Sequence, residues 1–275
     1  MAYETLDIRR DGAVAWLTLN RPHVLNALSY QLVEDLHNYL DTLRGDTQTR
    51  VVVMRGAGRA FCAGLDLKEN RPREASSTAD GAGILGSTAA TLAFQRRISD
   101  IIVKLHHLPQ PFIAAVHGSA AGGGFSLALA CEVRIVAESA RFNAAFVRVG
   151  LSGCDMGASY FLPRAVGTSV AFELLTTGRF VDAKRALAIG LVSEVVPESE
   201  LEAAAGRLAR EMAALSPLGL TMTKEGLWAN LDAGSLEAAV ELENRTQTLC
   251  VQAGYLAEGV RAFNEKRKPR FDSVG

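Results

Sequence analysis

The chain has 275 residues, 48% of them hydrophobic and 21% charged, which fits one large folded domain and excludes wholesale disorder. Its 29 Lys and Arg against 30 Asp and Glu leave a net charge of −1. That balance provides no basic excess to hold nucleic acid through its phosphates or to bind an anionic membrane. No apolar run approaches the roughly 18 residues of a membrane span. The N-terminus carries Glu4 and Asp7 and has no apolar signal core. Cys62, Cys131, Cys154 and Cys250 are dispersed with no C-x-x-C pair, so they read as reduced, mostly buried thiols of a cytoplasmic protein, with no metal site.

In chain order, residues 6–8 and 14–19 flank Asp11-Gly12 and predict a hairpin. After the breaker Asn20-Arg21-Pro22, Ser29 is placed to cap a helix whose apolar positions are Leu32, Val33, Leu36, Leu40 and Leu43. Residues 51–54 read as a short buried strand. Residues 69–86 are polar and small without periodicity, which predicts a mobile surface loop. Leu92, Ile98, Ile101, Ile102 and Leu105 then mark a helix that Pro109 and Pro111 stop. Residues 112–116 are a strand. The triple Gly122-Gly123-Gly124 follows, then a helix through Leu127, Leu129 and Cys131, and a strand at 133–136. Strands alternate with helices to about Val196, an α/β pattern with buried parallel strands. Beyond Pro197 helices are expected at 201–215, 217–231, 236–251 and 257–266.

Two loops place glycines directly after a strand: Phe61-Cys62-Ala63-Gly64-Leu65-Asp66-Leu67-Lys68-Glu69 and His117-Gly118-Ser119-Ala120-Ala121-Gly122-Gly123-Gly124-Phe125. Small residues admit another backbone or a ligand. The first amides of a helix have no partner inside it, and two of them converging on one point would bind a carbonyl oxygen as it gains negative charge. The plain alternative for each loop is a tight strand-to-helix turn. A dinucleotide site fails on spacing, because Gly56-Ala57-Gly58-Arg59-Ala60-Phe61 lacks the third glycine of G-x-G-x-x-G.

These loops, with Pro111-Phe112-Ile113-Ala114-Ala115-Val116-His117-Gly118, resemble the crotonase (enoyl-CoA hydratase/isomerase) superfamily. The resemblance extends to Asn20-Arg21-Pro22 with Leu25-Asn26-Ala27-Leu28, to Gly190-Leu191-Val192, and to Phe263 with Glu265-Lys266-Arg267-Lys268-Pro269. It implies a crotonase-like ββα spiral core over residues 1–196 carrying an acyl-CoA site. It also implies a C-terminal helical trimerisation region over 197–275, forming a homotrimer or dimer of trimers. The amides that stabilise a thioester enolate would fall at Leu65 and Gly123. Contacts to CoA would come from Ala27, from Ala63, Asp66 and Leu67, and from Phe263 and Lys266, the last two from a neighbouring subunit. Lys266-Arg267-Lys268 also reads as a solvated basic tail. No separate cofactor is implied, since CoA arrives with the substrate.

Familiar hydratases of this superfamily carry two glutamates that activate water and move a proton. Here the corresponding positions hold Ser126 and Phe146. The two-glutamate mechanism therefore does not carry over. The candidate acid/base is Asp155 in Gly153-Cys154-Asp155-Met156-Gly157, a loop in which some relatives place a working aspartate. A carboxylate among Phe146, Met156 and Phe161 would have its pKa raised by desolvation. The competing reading is that Asp155 caps the next helix. Ser126 is a candidate hydrogen-bond donor to substrate, as its Gly-Gly-Gly-Phe-Ser context resembles the hydroxycinnamoyl-CoA hydratase-lyases. Phe94, Phe146 and Phe161 are candidate acyl-pocket residues. Cys154 reads as a packing residue, His106-His107 as a partly exposed helix end, and His117 as a holder of backbone geometry.

Two functions follow. One is an acyl-CoA enzyme of the hydratase/isomerase type; isomerisation, thioester hydrolysis and carbon–carbon cleavage all pass through related oxyanions. The other is a non-catalytic acyl-CoA-binding relative, motivated by the two missing glutamates.

Overall fold

The computed structural model describes residues 3–69 and 81–271, with the backbone alone over 81–87. The expected hairpin pairs β1 (Leu6–Asp11) antiparallel with β2 (Val14–Leu19). Helix α1 (Tyr30–Arg44) opens where Ser29 accepts a hydrogen bond from the Leu32 amide at 3.1 Å. It leads to β3 (Val51–Gly56). Helix α2 (Gly81–His107) begins within the stretch read as a loop, so residues 81–86 are helix instead, while 70–80 lie outside the described residues. Once the 92–105 segment is helical, extending it back by about three turns to Gly81 costs far less than nucleating a new helix, and three glycines do not prevent it.

Beyond α2 come β4 (Phe112–Val116), β5 (Ser119–Ala121), α3 (Gly123–Ala130), β6 (Val133–Ala137) and β7 (Arg141–Asn143). Then follow α4 (Ala158–Val166), α5 (Thr168–Thr177), β8 (Val181–Asp182), α6 (Ala183–Ala188) and β9 (Glu194–Val196). The helices α7 (Leu201–Ala213), α8 (Pro217–Leu231), α9 (Leu236–Gln252) and α10 (Tyr255–Asn264) complete the chain.

The main sheet runs β1-β2-β3-β4-β6-β9, parallel from β2 onward. Alternation of side chains sends Val52, Met54, Ala114 and Val136 into the core that α1, α2 and α3 share. Their neighbours Trp16, Val53, Ile113 and Ile135 face α7 on the other side. Ala204, Ala205 and Ala209 let α7 lie close to the strands. Residues after Pro197 thus complete the second face of the sheet before the chain continues into α8–α10.

Helix α8 is fastened to the core by a buried ion pair. Lys224 Nζ donates to the carbonyls of Leu105 and Gln110, each at 2.9 Å, and meets Glu132 at 3.1 Å. Glu132 also accepts from the Phe112 amide at 2.7 Å and from Trp228 Nε1 at 3.2 Å. His106 is half-buried, its ring centroid 4.7 Å from that of Trp228 and 5.7 Å from that of Phe161. Burial pulls its pKa below the ordinary value. It packs within an aromatic group more than it caps a helix end.

A second, smaller sheet, β5-β7-β8, was not foreseen. Its strands are two or three residues long and find partners far away in sequence: Ala120 pairs with Phe142, and Phe142 with Val181. Isolated bridges extend the same layer, joining Cys62 to Ala120 and Leu28 to Leu65. This layer brings the two glycine loops side by side.

Candidate active site

The first glycine loop is tied down by Asn26, which is fully buried. Its Nδ2 donates to the carbonyls of Ala57 (2.9 Å) and Ala60 (2.8 Å), and its Oδ1 accepts from the Arg21 amide (2.8 Å). His117 Nε2 bonds the Gly58 carbonyl at 2.7 Å, a structural role as the sequence suggests. The second loop packs onto the first so closely that a Cβ on Gly124 would lie 2.2 Å from the Cys62 carbonyl oxygen. A Cβ on Gly64, where φ is +90°, would lie 2.7 Å from the Ala121 carbonyl oxygen and 3.3 Å from the Gly123 nitrogen. Only glycine permits both the backbone angle and this approach.

The bridge between Leu28 and the first glycine loop leaves a particular amide over. Leu28 N donates to the Gly64 carbonyl (2.7 Å) and Asp66 N donates to the Leu28 carbonyl (3.0 Å). The groups on either side of Leu65 are used, and the Leu65 N–H has no partner among the described residues. At the start of α3, Gly122 N donates to the Asn143 carbonyl (3.0 Å), and the Gly123 N–H likewise has no partner among the described residues. Leu65, Gly64 and Gly123 border one cavity of about 110 Å³. Its walls are mostly apolar: Leu28, Ile98, Phe146, Val149, Leu151 and Met156.

Asp155 stands in the same cavity. The backbone after it is left-handed at Met156 (φ +44°) and Gly157 (φ +77°), a conformation costly for Met and held by its surroundings. Met156 is buried over Gly123, where its Sδ would be 3.0 Å from an added Cβ. The Asp155 carbonyl accepts from the Ala158 amide (2.9 Å) and from the Ser126 hydroxyl (3.3 Å). Its carboxylate receives a hydrogen bond from Gln95 Nε2 at 2.5 Å. Helix α4 is preceded by Gly157 and has no side-chain cap, so the capping role weighed for Asp155 is not the one it adopts. Burial raises the Asp155 pKa above the ordinary aspartate value, against hydrogen bonds from the Met156 amide and Gln95. Asp155 is the one ionisable side chain among the described residues lining the cavity.

Other candidates fall elsewhere. Ser126 is fully buried and holds the Asp155 loop from behind, outside the cavity lining. Phe146 lines the cavity, whereas Phe94 stacks on Tyr30 at 4.5 Å and Phe161 joins the aromatic group around His106. Ala63 and Leu67 line the cavity, Leu67 being exposed. Ala27 and Asp66 are joined through Arg21, whose Nη1 donates to the Ala27 carbonyl (2.6 Å) and to Asp66 (3.1 Å). Phe263, on α10, is 83% exposed, and neither it nor Lys266 reaches the cavity of its own chain. Cys154 is exposed and so is not the packing residue expected, whereas Cys62 and Cys131 are buried. Burial pushes the Cys62 thiol up to about 12, which makes this neighbour of the cavity a poor nucleophile. Gln95 was missed by sequence reasoning, which carried no signal linking it to a loop 60 residues later.

The profile of the enoyl-CoA hydratase/isomerase family matches residues 9–274. A protein of Mycobacterium bovis named a probable enoyl-CoA hydratase is 40% identical over 259 residues, covering 94% of this chain and 89% of that one. The crystal structure of a probable enoyl-CoA hydratase/isomerase from Mycobacterium abscessus superposes with a TM-score of 0.86 at 34% identity, covering 98% of each chain. A monofunctional enoyl-CoA isomerase from M. smegmatis is 40% identical with a TM-score of 0.71, covering 86% of this chain and 98% of that one. With its spiral of strands, its paired glycine loops and this breadth of similarity, the chain belongs to the enoyl-CoA hydratase/isomerase family of crotonase-fold enzymes.

Proposed function

We propose that this enzyme binds an acyl-CoA thioester with its carbonyl oxygen between the amides of Leu65 and Gly123, and that Asp155 moves one proton on the acyl chain. The observation that carries this reading is a single carboxylate, raised in pKa by burial, sharing an apolar cavity with two amides that have no partner among the described residues. Hydration by two carboxylates has no counterpart among the described lining residues. Double-bond isomerisation needs only one. The Asp155 carboxylate takes a proton from the carbon next to the carbonyl, and the electron pair passes to the thioester oxygen as an enolate. The same carboxylic acid then returns the proton two carbons further along, moving the double bond into conjugation. The M. smegmatis isomerase among the similar structures supports this choice.

CoA comes and goes with the substrate, so no further cofactor is required. Exposed apolar side chains on α8–α10, among them Leu227, Leu236, Leu256 and Phe263, support a trimer or dimer of trimers built by residues 197–275. Such an assembly would carry Phe263 and Lys266 toward a neighbour's CoA.

The test is 3-hexenoyl-CoA in D2O, followed by NMR for α-proton exchange and for the conjugated product. Wild type should do both, and Asp155→Asn should lose roughly 10²–10⁴-fold in rate. Wild-type turnover by that variant, or no acyl-CoA binding by calorimetry at millimolar ligand, would overturn the proposal.

A further inference from the structure

We infer that Gln95 is a positioning residue for the proton transfer, holding the Asp155 carboxylate toward the cavity and setting the pH at which it is ionised. The inference rests on the reading of Asp155 as the acid/base. Gln95 belongs to α2, 60 residues before Asp155, and the two elements meet along one stripe of that helix. Gln95 and Ile98 line the cavity, and one turn on, Ile102 would touch a Cβ placed on Gly157 at 3.1 Å. Gln95 itself is exposed, yet its amide nitrogen reaches 2.5 Å from Asp155 Oδ1 and makes no other hydrogen bond among the described residues. Ordering a long glutamine side chain costs rotamer entropy, which the hydrogen bond to Asp155 offsets. What the contact does is fix the carboxylate's direction. Ser126 and Ala158 bond only the Asp155 backbone carbonyl, and Met156 N is the carboxylate's other donor.

A donated N–H favours the ionised carboxylate, which is the form that removes a proton. Charged groups on the surrounding elements are directed elsewhere. On α2, Arg97 pairs with Glu34, while Arg96 and Asp100 border a separate surface depression. Asp66 is held by Arg21, Arg164 of α4 by Asp232, and Arg148 packs beneath Gly178. Cys154, next in sequence to Asp155, is an exposed thiol. Gln95 is therefore the side chain whose replacement changes the field at Asp155 most directly.

The experiment compares the pH dependence of kcat/KM for 3-hexenoyl-CoA in wild type, Gln95→Met, Gln95→Lys and Asp155→Asn. Removing the donor in Gln95→Met should move the acidic limb up by roughly 0.5–1 pH unit and lower kcat about tenfold, with KM changed less than about threefold. Gln95→Lys supplies a cationic donor and should move the limb down. Lysine lowers the limb by its charge alone, so Gln95→Met is the deciding variant: a glutamine that merely packs would leave its acidic limb unmoved. An acidic limb unmoved in Gln95→Met, with Asp155→Asn inactive, would overturn the role of Gln95 and leave that of Asp155 standing. An active Asp155→Asn would overturn both.

Discussion

Lys224 offers the sharpest test of how the C-terminal helices are fastened to the catalytic core. The residue is 5% exposed, and its ammonium has three partners, the carbonyls of Leu105 and Gln110 and the Glu132 carboxylate, at 2.9, 2.9 and 3.1 Å. Lys224→Met keeps the aliphatic stem but strands Glu132 as a buried anion with only the Phe112 amide and Trp228 Nε1 to stabilise it. Removing one partner of a buried pair typically costs about 3–5 kcal/mol. The two surviving donors to Glu132 place the expected loss near the lower end, about 3 kcal/mol. Adding Glu132→Gln removes the stranded charge and keeps an acceptor for Phe112 N. The double variant should therefore recover about 1–2 kcal/mol relative to additivity. Urea unfolding at a fixed protein concentration, read through the fluorescence of Trp16 and Trp228 together, measures both quantities. A single-variant loss below about 1 kcal/mol would refute the argument that this pair fastens α8.

Further expectations follow from the site. Asp155 has its folded-state pKa raised by burial, so its contribution to stability is present below the unfolded-state value and is lost as pH rises through the folded-state value. Asp155→Asn should thus be more stable than wild type at pH 7, with the difference shrinking as pH falls toward 4; equal melting behaviour across that range would contradict the burial argument. Gly124→Ala places a methyl 2.2 Å from the Cys62 carbonyl oxygen, which the backbone can relieve only by parting the two glycine loops. A loss of about 1–3 kcal/mol in stability and of roughly a hundredfold in kcat is expected from melts and steady-state kinetics; wild-type kcat would show that the loop spacing does not set the proposed oxyanion site. Arg21→Ala removes the link between Asp66 and the Ala27 carbonyl, leaving Asp66 with the Lys68 and Glu69 amides, so KM for acyl-CoA should rise while kcat changes little. A kcat effect without a KM effect would remove Ala27 and Asp66 from the binding surface.

The parts of this molecule legible in its sequence are those held by neighbours along the chain. Ser29 three residues before Leu32, and Gly12 inside a hairpin, declare themselves because the interacting groups are close in sequence. The second sheet does not: Ala120, Phe142 and Val181 become strand residues only because a spiral stacks them, and runs of two or three residues carry no periodicity of their own. The same distinction governs the site. The amides of Leu65 and Gly123 belong to the backbone, so no side chain announces them. The sequence records only the glycines that let the loops approach, at Gly64 and Gly124.

Asp155 was visible as a carboxylate in a loop, but its choice between capping α4 and facing the cavity depended on the left-handed backbone at Met156 and Gly157 and on Gln95 across the cleft. Ser126 illustrates the reverse. Its place after the triple glycine suggested contact with substrate, yet its hydroxyl is turned to the Asp155 carbonyl. A hydroxyl at that position cannot replace a carboxylate as a base, but it can hold the loop that brings another carboxylate in from a different direction. Ser126 and the loop carrying the carboxylate proposed as acid/base are thus joined by one hydrogen bond of 3.3 Å, to the Asp155 carbonyl. Loss of that bond in Ser126→Ala should weaken proton transfer through the position of Asp155, without removing any group from the cavity itself.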